Sequence, residues 1–198
     1  QDLGLVVLNQ DENLRPANPI YAEVMSRVIT DELQRGLKAS LNKAVNNLKW
    51  TDGKELLLSE ILAEFQKYWR KNSDSFPKRL KSYAAYKFDE AFYSFVLLTY
   101  LQKIVNSGAK VDREYAEGRG AVDICVTYNE REYLIEVKIK GEDSENESIE
   151  QLAGYLEKNG EKEGWLVIFD RNRRKSWDKK ITWKTIQFEK YSIHIVGC

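Results

Sequence analysis

Hydrophobic and polar residues alternate with period two through Val122-Asp-Ile-Cys-Val-Thr-Tyr128 and again through Arg131-Glu-Tyr-Leu-Ile-Glu-Val-Lys-Ile139, the pattern of strands with one buried face. Asn129 and Glu130 between them predict a two-residue turn. Such a turn pairs residue 128 with 131 and, counting back, sets Asp123 directly opposite Glu136, with Cβ atoms roughly 4.5–5.5 Å apart on one face. Lys138, two residues further on, points the same way. Val122, Ile124, Val126, Tyr133, Ile135, Val137 and Ile139 fall on the other face, the expected core.

The flanking segments carry patterns of their own. Residues 88–105 are apolar on most sides and predict a buried helix, its run shorter than the ~20 apolar residues of a membrane span. Residues 109–115 predict a strand antiparallel to the one carrying Asp123. The turn between them is Glu117-Gly-Arg-Gly120, where Gly118 and Gly120 permit positive φ. Glu114 lies close enough in sequence to join the carboxylates. An acidic loop over 141–147 precedes a helix over 148–159 with Ile149, Leu152, Ala153 and Leu156 as its apolar stripe. The continuous apolar run Gly164-Trp-Leu-Val-Ile-Phe-Asp170 predicts a central strand covered on both sides, and residues 191–196 alternate as a last strand.

The first 80 residues are helical in pattern. Asn18-Pro19 is a cap followed by proline at the first helical position. A second helix is expected over 37–48, and a third over 55–70 with Leu58, Ile61, Leu62, Phe65 and Trp69 at helical spacing. Pro77 marks the joint, over 73–81.

With 42% hydrophobic residues in 198 the chain can bury a sizeable core, as one compact unit. Its formal charge is zero, so attraction to nucleic acid has to come from a local patch. Residues 171–180 supply one, with six cations, one acid and one tryptophan. Arg171, Arg173, Arg174 and Lys175 are its candidate phosphate contacts, and an aromatic nearby can stack a base; such runs also serve simply as solvated surface. Arg119 can meet a phosphate or pair with Glu117. Two cysteines, one on a strand and one at position 198, argue against a disulfide framework or a zinc site, and the single His194 excludes a His-rich metal centre or a paired-histidine mechanism. With no secretory apolar region in view, the expected location is the cytoplasm.

Two carboxylates as close as Asp123 and Glu136 repel, and each raises the pKa of the other unless a cation lies between them. Oxygen donors of this kind suit Mg²⁺ or Mn²⁺, which take one or two carboxylates and complete their shell with water and substrate phosphate. An adjacent lysine orients the attacking water or stabilises charge on the phosphoryl group. Cross-strand ion pairing on a solvated face is the plainer reading of the same three residues.

Asp123 followed by Glu136-Val-Lys138 resembles the PD-(D/E)XK nuclease superfamily over residues 85–198, with Val122 in place of the proline. The resemblance implies an α/β, restriction-endonuclease-like core, a mixed sheet flanked by helices, over 81–198. An N-terminal helical subdomain over 1–80 precedes it. It further implies Mg²⁺- or Mn²⁺-dependent cleavage of nucleic acid, DNA ahead of RNA, with Asp123 and Glu136 as metal ligands and Lys138 at the water. Superfamily members often carry a glutamate on the first helix that reaches the metal, and Glu90 holds that position; Asp89 and Glu90 also suit the first turn of any helix. A glutamine on the later helix often stands near the site, which makes Gln151 a candidate beside its alternative as a solvated polar residue. Tyr155 shares its face.

The segments Asp2-Leu-Gly-Leu-Val6, Ala17-Asn-Pro-Ile-Tyr-Ala-Glu-Val24, Phe65-Gln-Lys-Tyr-Trp-Arg-Lys-Asn72 and Val167-Ile-Phe-Asp-Arg171 resemble the C-terminal part of prokaryotic AAA-like ATPases that end in a nuclease-type domain. That resemblance, with a chain starting at Gln1, implies a fragment whose ATPase module lies upstream. Gly53-Lys54 lacks the rest of a phosphate-binding loop. A homodimer, and a nuclease-fold module that grips nucleic acid or a partner without cutting and regulates the ATPase, are the further expectations.

Overall fold

The computed structural model describes residues 6–8, 14–16, 49–73, 89–105, 108–115, 122–141 and 144–198. The helix opened at Asn18, the helix expected over 37–48, residues 74–81 of the joint and the turn at 117–120 lie outside them. Strands β1 (Val6–Leu8) and β2 (Leu14–Pro16) form a two-stranded antiparallel pair. The remaining elements are α1 (Leu58–Asn72), α2 (Asp89–Ile104), β3 (Lys110–Tyr115), β4 (Val122–Tyr128), β5 (Arg131–Ile139), α3 (Glu145–Asn159), β6 (Glu163–Phe169), α4 (Trp177–Lys180), β7 (Thr182–Phe188) and β8 (Tyr191–Gly197).

The six later strands make one mixed sheet in the order β3-β4-β5-β6-β8-β7. β3, β4 and β5 run as an antiparallel meander, β5, β6 and β8 are mutually parallel, and β7 closes the far edge antiparallel to β8. The chain is thus α/β, with a six-stranded mixed sheet flanked by helices. Among the described residues no helix is long and apolar enough to cross a membrane.

The turn at Asn129 and Glu130 is as the alternation predicts. Both residues are left-handed (φ 50° and 65°), as a two-residue hairpin turn with the native strand twist demands, and Tyr128 pairs with Arg131. The expectation of a single buried face is corrected. Ile124, Val126, Ile135 and Val137 pack under α1 and α2. Cys125 and Leu134, on the carboxylate-bearing side, are as fully buried beneath α3. Val122, assigned by alternation to the first face, packs into this second cluster. Along the paired rungs period two reports which residues share a face; it fails at Val122, beyond the last β4–β5 rung, and it does not report how many faces are covered.

Other elements also differ from the pattern, beginning with β1 and β2, an antiparallel pair of strands within the first 80 residues, where only helices are expected. Helix α3 starts at Glu145, inside the expected acidic loop, because Ser144 and Glu147 form a capping box: the Ser144 hydroxyl accepts from the Glu147 N–H (3.1 Å) and the Glu147 carboxylate from the Ser144 N–H (3.3 Å). Strand β7 is an addition to the expected elements. Its alternation comes directly after the basic segment, and it is exposed over most of its length.

Helix α1, on the N-terminal side of the expected joint, lies in the same core as the sheet. Phe65 and Trp69 meet Phe169 of β6 edge to face at 6.1 and 5.2 Å. The buried Gln66 amide donates to the carbonyls of Thr182 (2.9 Å) and Gly197 (2.7 Å), pinning α1 across β7 and β8. At Gly197 the chains come so close that a Cβ would overlap the Thr182 hydroxyl and the Lys180 carbonyl. Gln66→Leu keeps the bulk and removes both bonds, leaving two carbonyls without their donor. It is expected to cost about 1–3 kcal/mol, read as a lower midpoint in urea with an unchanged slope; an unchanged midpoint would show that α1 is not pinned there.

Candidate active site

The ladder between β4 and β5 ends at the Ile124–Ile135 rung. One step on, where register would set Asp123 against Glu136, the Asp123 side chain takes over: its Oδ2 accepts from the backbone N–H of Val137 at 2.8 Å. The carboxylate is wedged where the strands part. On the other side β5 keeps its parallel pairing to β6, with Glu136 beside Leu166 and Lys138 beside Ile168, so these two side chains are carried on a strand held firmly along its other edge.

Glu136 is 2% exposed. Its Oε1 lies 3.0 Å from the Lys138 Nζ, while Oε2 is buried with no hydrogen-bond partner among the described residues. Lys138, its side chain 12% exposed, also reaches Glu90 Oε1 at 3.4 Å. Glu90 stands in the first turn of α2, so both readings of that residue apply to it: it complements the helix dipole and it belongs to the cluster. The amine thus bridges a glutamate of the sheet and one of the helix.

The electrostatics come from burial. Desolvation, then Asp123 and Glu90 against the pull of Lys138, pushes the Glu136 carboxyl up to about 7. Desolvation and Glu90, opposed by the Val137 N–H and Lys138, push Asp123 up to about 6. For Lys138 burial acts to lower the pKa, but Glu136, Glu90 and Asp123 together outweigh it and hold the amine well above its ordinary value. An unpartnered buried carboxylate oxygen is costly, and a proton or a cation relieves it.

A hard divalent cation fits this donor set. A half-buried carboxylate, Asp123, and a buried one with an unused oxygen, Glu136, match what Mg²⁺ or Mn²⁺ takes from a protein when substrate phosphate and water complete the shell. Among the described residues no three Asp, Glu, His or Cys side chains converge on one ion-sized point. Glu90 stands beside the amine of Lys138.

The remaining candidates are dispersed. Gln151 on α3 donates its amide to the Tyr155 hydroxyl at 2.8 Å, one turn along the same helix, and among the described residues no hydrogen bond or ion pair joins it to Asp123, Glu136 or Lys138. Arg119 and the Glu114 side chain lie outside the described residues. Arg171, Arg173 and Arg174 are exposed on the loop after β6, and Lys175 is ion-paired with Asp170 at 2.8 Å. Asp170 and Lys140 are additions to the expected set. Lys140 was legible as the next same-face residue after Lys138, and Asp170 from its two-residue spacing to Asn172, which is that of an Asx turn.

A family model described as "Domain of unknown function (DUF8371)" matches residues 55–173, more than half of the chain. The chain belongs to this family. No curated protein matches it. The matched span runs from the residues just before α1 to the basic loop and contains Glu90, Asp123, Glu136, Lys138 and Gln151.

The raised carboxyls set a pH dependence. Their folded-state values, about 6 and about 7, lie above the ordinary 3.8 and 4.5, so the folded protein holds these protons more tightly than the unfolded chain does. The stabilisation is complete below about pH 4 and is lost as pH rises through 6 to 7. The metal-free protein is therefore expected to melt roughly 5 °C or more lower at pH 8 than at pH 5, Mn²⁺ recovering the loss at pH 8. Asp123→Asn/Glu136→Gln should flatten the profile and abolish the Mn²⁺ effect. Scanning calorimetry reads both, and a double variant that still responds to Mn²⁺ would show that these carboxylates hold no metal.

Proposed function

We propose that this domain hydrolyses phosphodiester bonds of nucleic acid, DNA ahead of RNA, in a reaction dependent on Mg²⁺ or Mn²⁺, on a restriction-endonuclease-like core. The observation that carries the reading is the buried Glu136 with its unpartnered oxygen, set between the wedged Asp123 and the charged Lys138. A sheet needs no such cluster for stability, since replacing buried ionic groups by apolar ones is often neutral or better.

Asp123 and Glu136 would hold the ion. When bound, it supplies Lewis-acid polarisation of the phosphate and a more acidic water. Lys138 stays protonated, because three carboxylates hold its pKa up. Its role is thus to orient the water and a phosphate oxygen and to offset charge as the phosphoryl group is attacked, rather than to accept a proton. Glu90 fixes the amine from the helix side. The Val137 N–H holds Asp123 by one oxygen, leaving the other for the ion. The resemblance to ATPase-linked nucleases adds an ATP-hydrolysing module on the same polypeptide as the source of regulation, and a cytoplasmic setting.

A second reading, a nuclease-fold module that binds without cutting, draws on Lys138 being engaged by both Glu136 and Glu90. Lys138→Ala separates the two. On the nuclease reading it lowers Mn²⁺-dependent cleavage of plasmid or single-stranded DNA by roughly 10²-fold or more, with an unchanged circular dichroism spectrum. Metal binding by titration calorimetry is expected to persist in that variant and to vanish in Asp123→Ala/Glu136→Ala. Cleavage that survives the loss of Lys138 would sink the nuclease assignment.

A further inference from the structure

We propose that Asp170 is a positioning residue that arranges Lys140, Lys175, Arg173 and Arg174 into a track for the phosphodiester backbone of a DNA strand running away from Lys138. The inference rests on the phosphodiester reading of the Asp123–Glu136–Lys138 cluster for where the track begins.

The sheet brings the two regions together. β5 and β6 are parallel and in register through Lys138–Ile168 and Ile139–Phe169, and the Lys140 N–H continues the ladder to the Phe169 carbonyl at 2.9 Å. Lys140 therefore comes after Lys138 on the same face, about 6.6 Å further along the strand. The Asp170 N–H is bound to the Cys198 carbonyl at 2.7 Å, so the residue that opens the basic loop is locked to the end of β8. Phe169 just before it is clamped by Phe65, Trp69 and Tyr93, the last stacked at 4.5 Å. The loop leaves from a rigid point.

Asp170 then organises the loop beyond it. Its carboxylate, 9% exposed, accepts from the Asn172 N–H through Oδ1 at 3.0 Å and from the Lys175 Nζ through Oδ2 at 2.8 Å, and the Lys140 Nζ lies 3.9 Å away. Asn172 repeats the device, accepting from the Arg174 N–H on its side chain (3.0 Å) and from the Lys175 N–H on its carbonyl (3.1 Å). Two turns in succession leave the side chains of Arg173 and Arg174 exposed while the backbone beneath them is fixed. Asp178, the one acid in 171–180, is occupied by Arg70 at 3.0 Å. One largely buried anion thus gathers Lys140 and Lys175 and sets the arginines beside them. A merely solvated loop has no use for such an anchor, whereas a row of cations starting beside a phosphodiester site matches successive phosphates of one strand.

The anchor gives the test its sign. If the loop bound DNA through bulk charge alone, Asp170→Asn would tighten binding by removing a negative charge; the positioning role predicts weaker binding. Anisotropy of a fluorescein-labelled single strand of about 20 nucleotides, long enough to span such a site, is followed in EDTA over a range of NaCl with the full chain. Arg173→Gln/Arg174→Gln is expected to weaken binding at least ~10-fold at low salt and to reduce the slope of log K against log salt by about 1.4, two phosphate contacts at ~0.7 each. Asp170→Asn should also weaken binding and reduce the slope. Lys140→Gln, which leaves the anchor intact, should do so by about 0.7, and Lys190→Gln, at the distant β7–β8 turn, should change nothing. Equal or tighter binding by Asp170→Asn in a folded protein, or an unchanged slope in Lys140→Gln, overturns the track. Mn²⁺-dependent cleavage measured separately keeps the two readings apart: cutting with unaltered slopes removes the track and leaves the nuclease, and altered slopes without cutting do the reverse.

Discussion

The bond from the Val137 N–H to the Asp123 carboxylate is the point on which the site depends. An antiparallel ladder continued by one more rung would tie β4 to β5 by backbone alone and leave Asp123 an ordinary cross-strand neighbour of Glu136. Instead a side-chain oxygen takes the donor, the strands part, and an opening forms in which one carboxylate is pinned and another is buried without a full set of partners. Two desolvated carboxylates of like charge and a lysine held protonated between glutamates cost folding energy. That cost is tolerable only because the sheet around them is covered on both faces.

The covering comes from three helices with different jobs. α3 buries Cys125 and Leu134 on the carboxylate side; Glu136, two residues after Leu134, is 2% exposed, and its desolvation raises its pKa. α2 packs against the opposite face yet brings Glu90, in its first turn, to the amine of Lys138. α1 shares the core of α2 and is tied to the far edge of the sheet by Gln66, so the far strands and the basic loop between β6 and β7 are held by the same helix that packs on Phe169. Site and loop thus share one rigid frame, through hydrogen bonds and ring contacts that span more than a hundred residues of sequence.

Much of the local structure was legible in the residue pattern. Alternation and the Asn129–Glu130 turn determine the register of β4 and β5, because a two-residue hairpin admits one pairing, and register alone puts Asp123, Glu136 and Lys138 on one face. The capping box at Ser144 and the alternation of β7 were equally present in the sequence; the first was obscured by the acidic run around it and the second by the basic run before it.

The tertiary structure alone decided how these residues are surrounded. Periodicity is silent on whether a face is covered, so the burial of Glu136 and the unpartnered state of its Oε2 emerge only in the packed structure. Spacing along the chain likewise leaves open which helix-borne groups arrive from a distance: Glu90 meets Lys138 across 48 residues, whereas Gln151 is held by its own helix neighbour Tyr155. The gathering of Lys140 and Lys175 around Asp170 depends on the parallel pairing of β5 with β6. That pairing is a long-range choice made by the packing of both faces, and short-range pattern does not encode it.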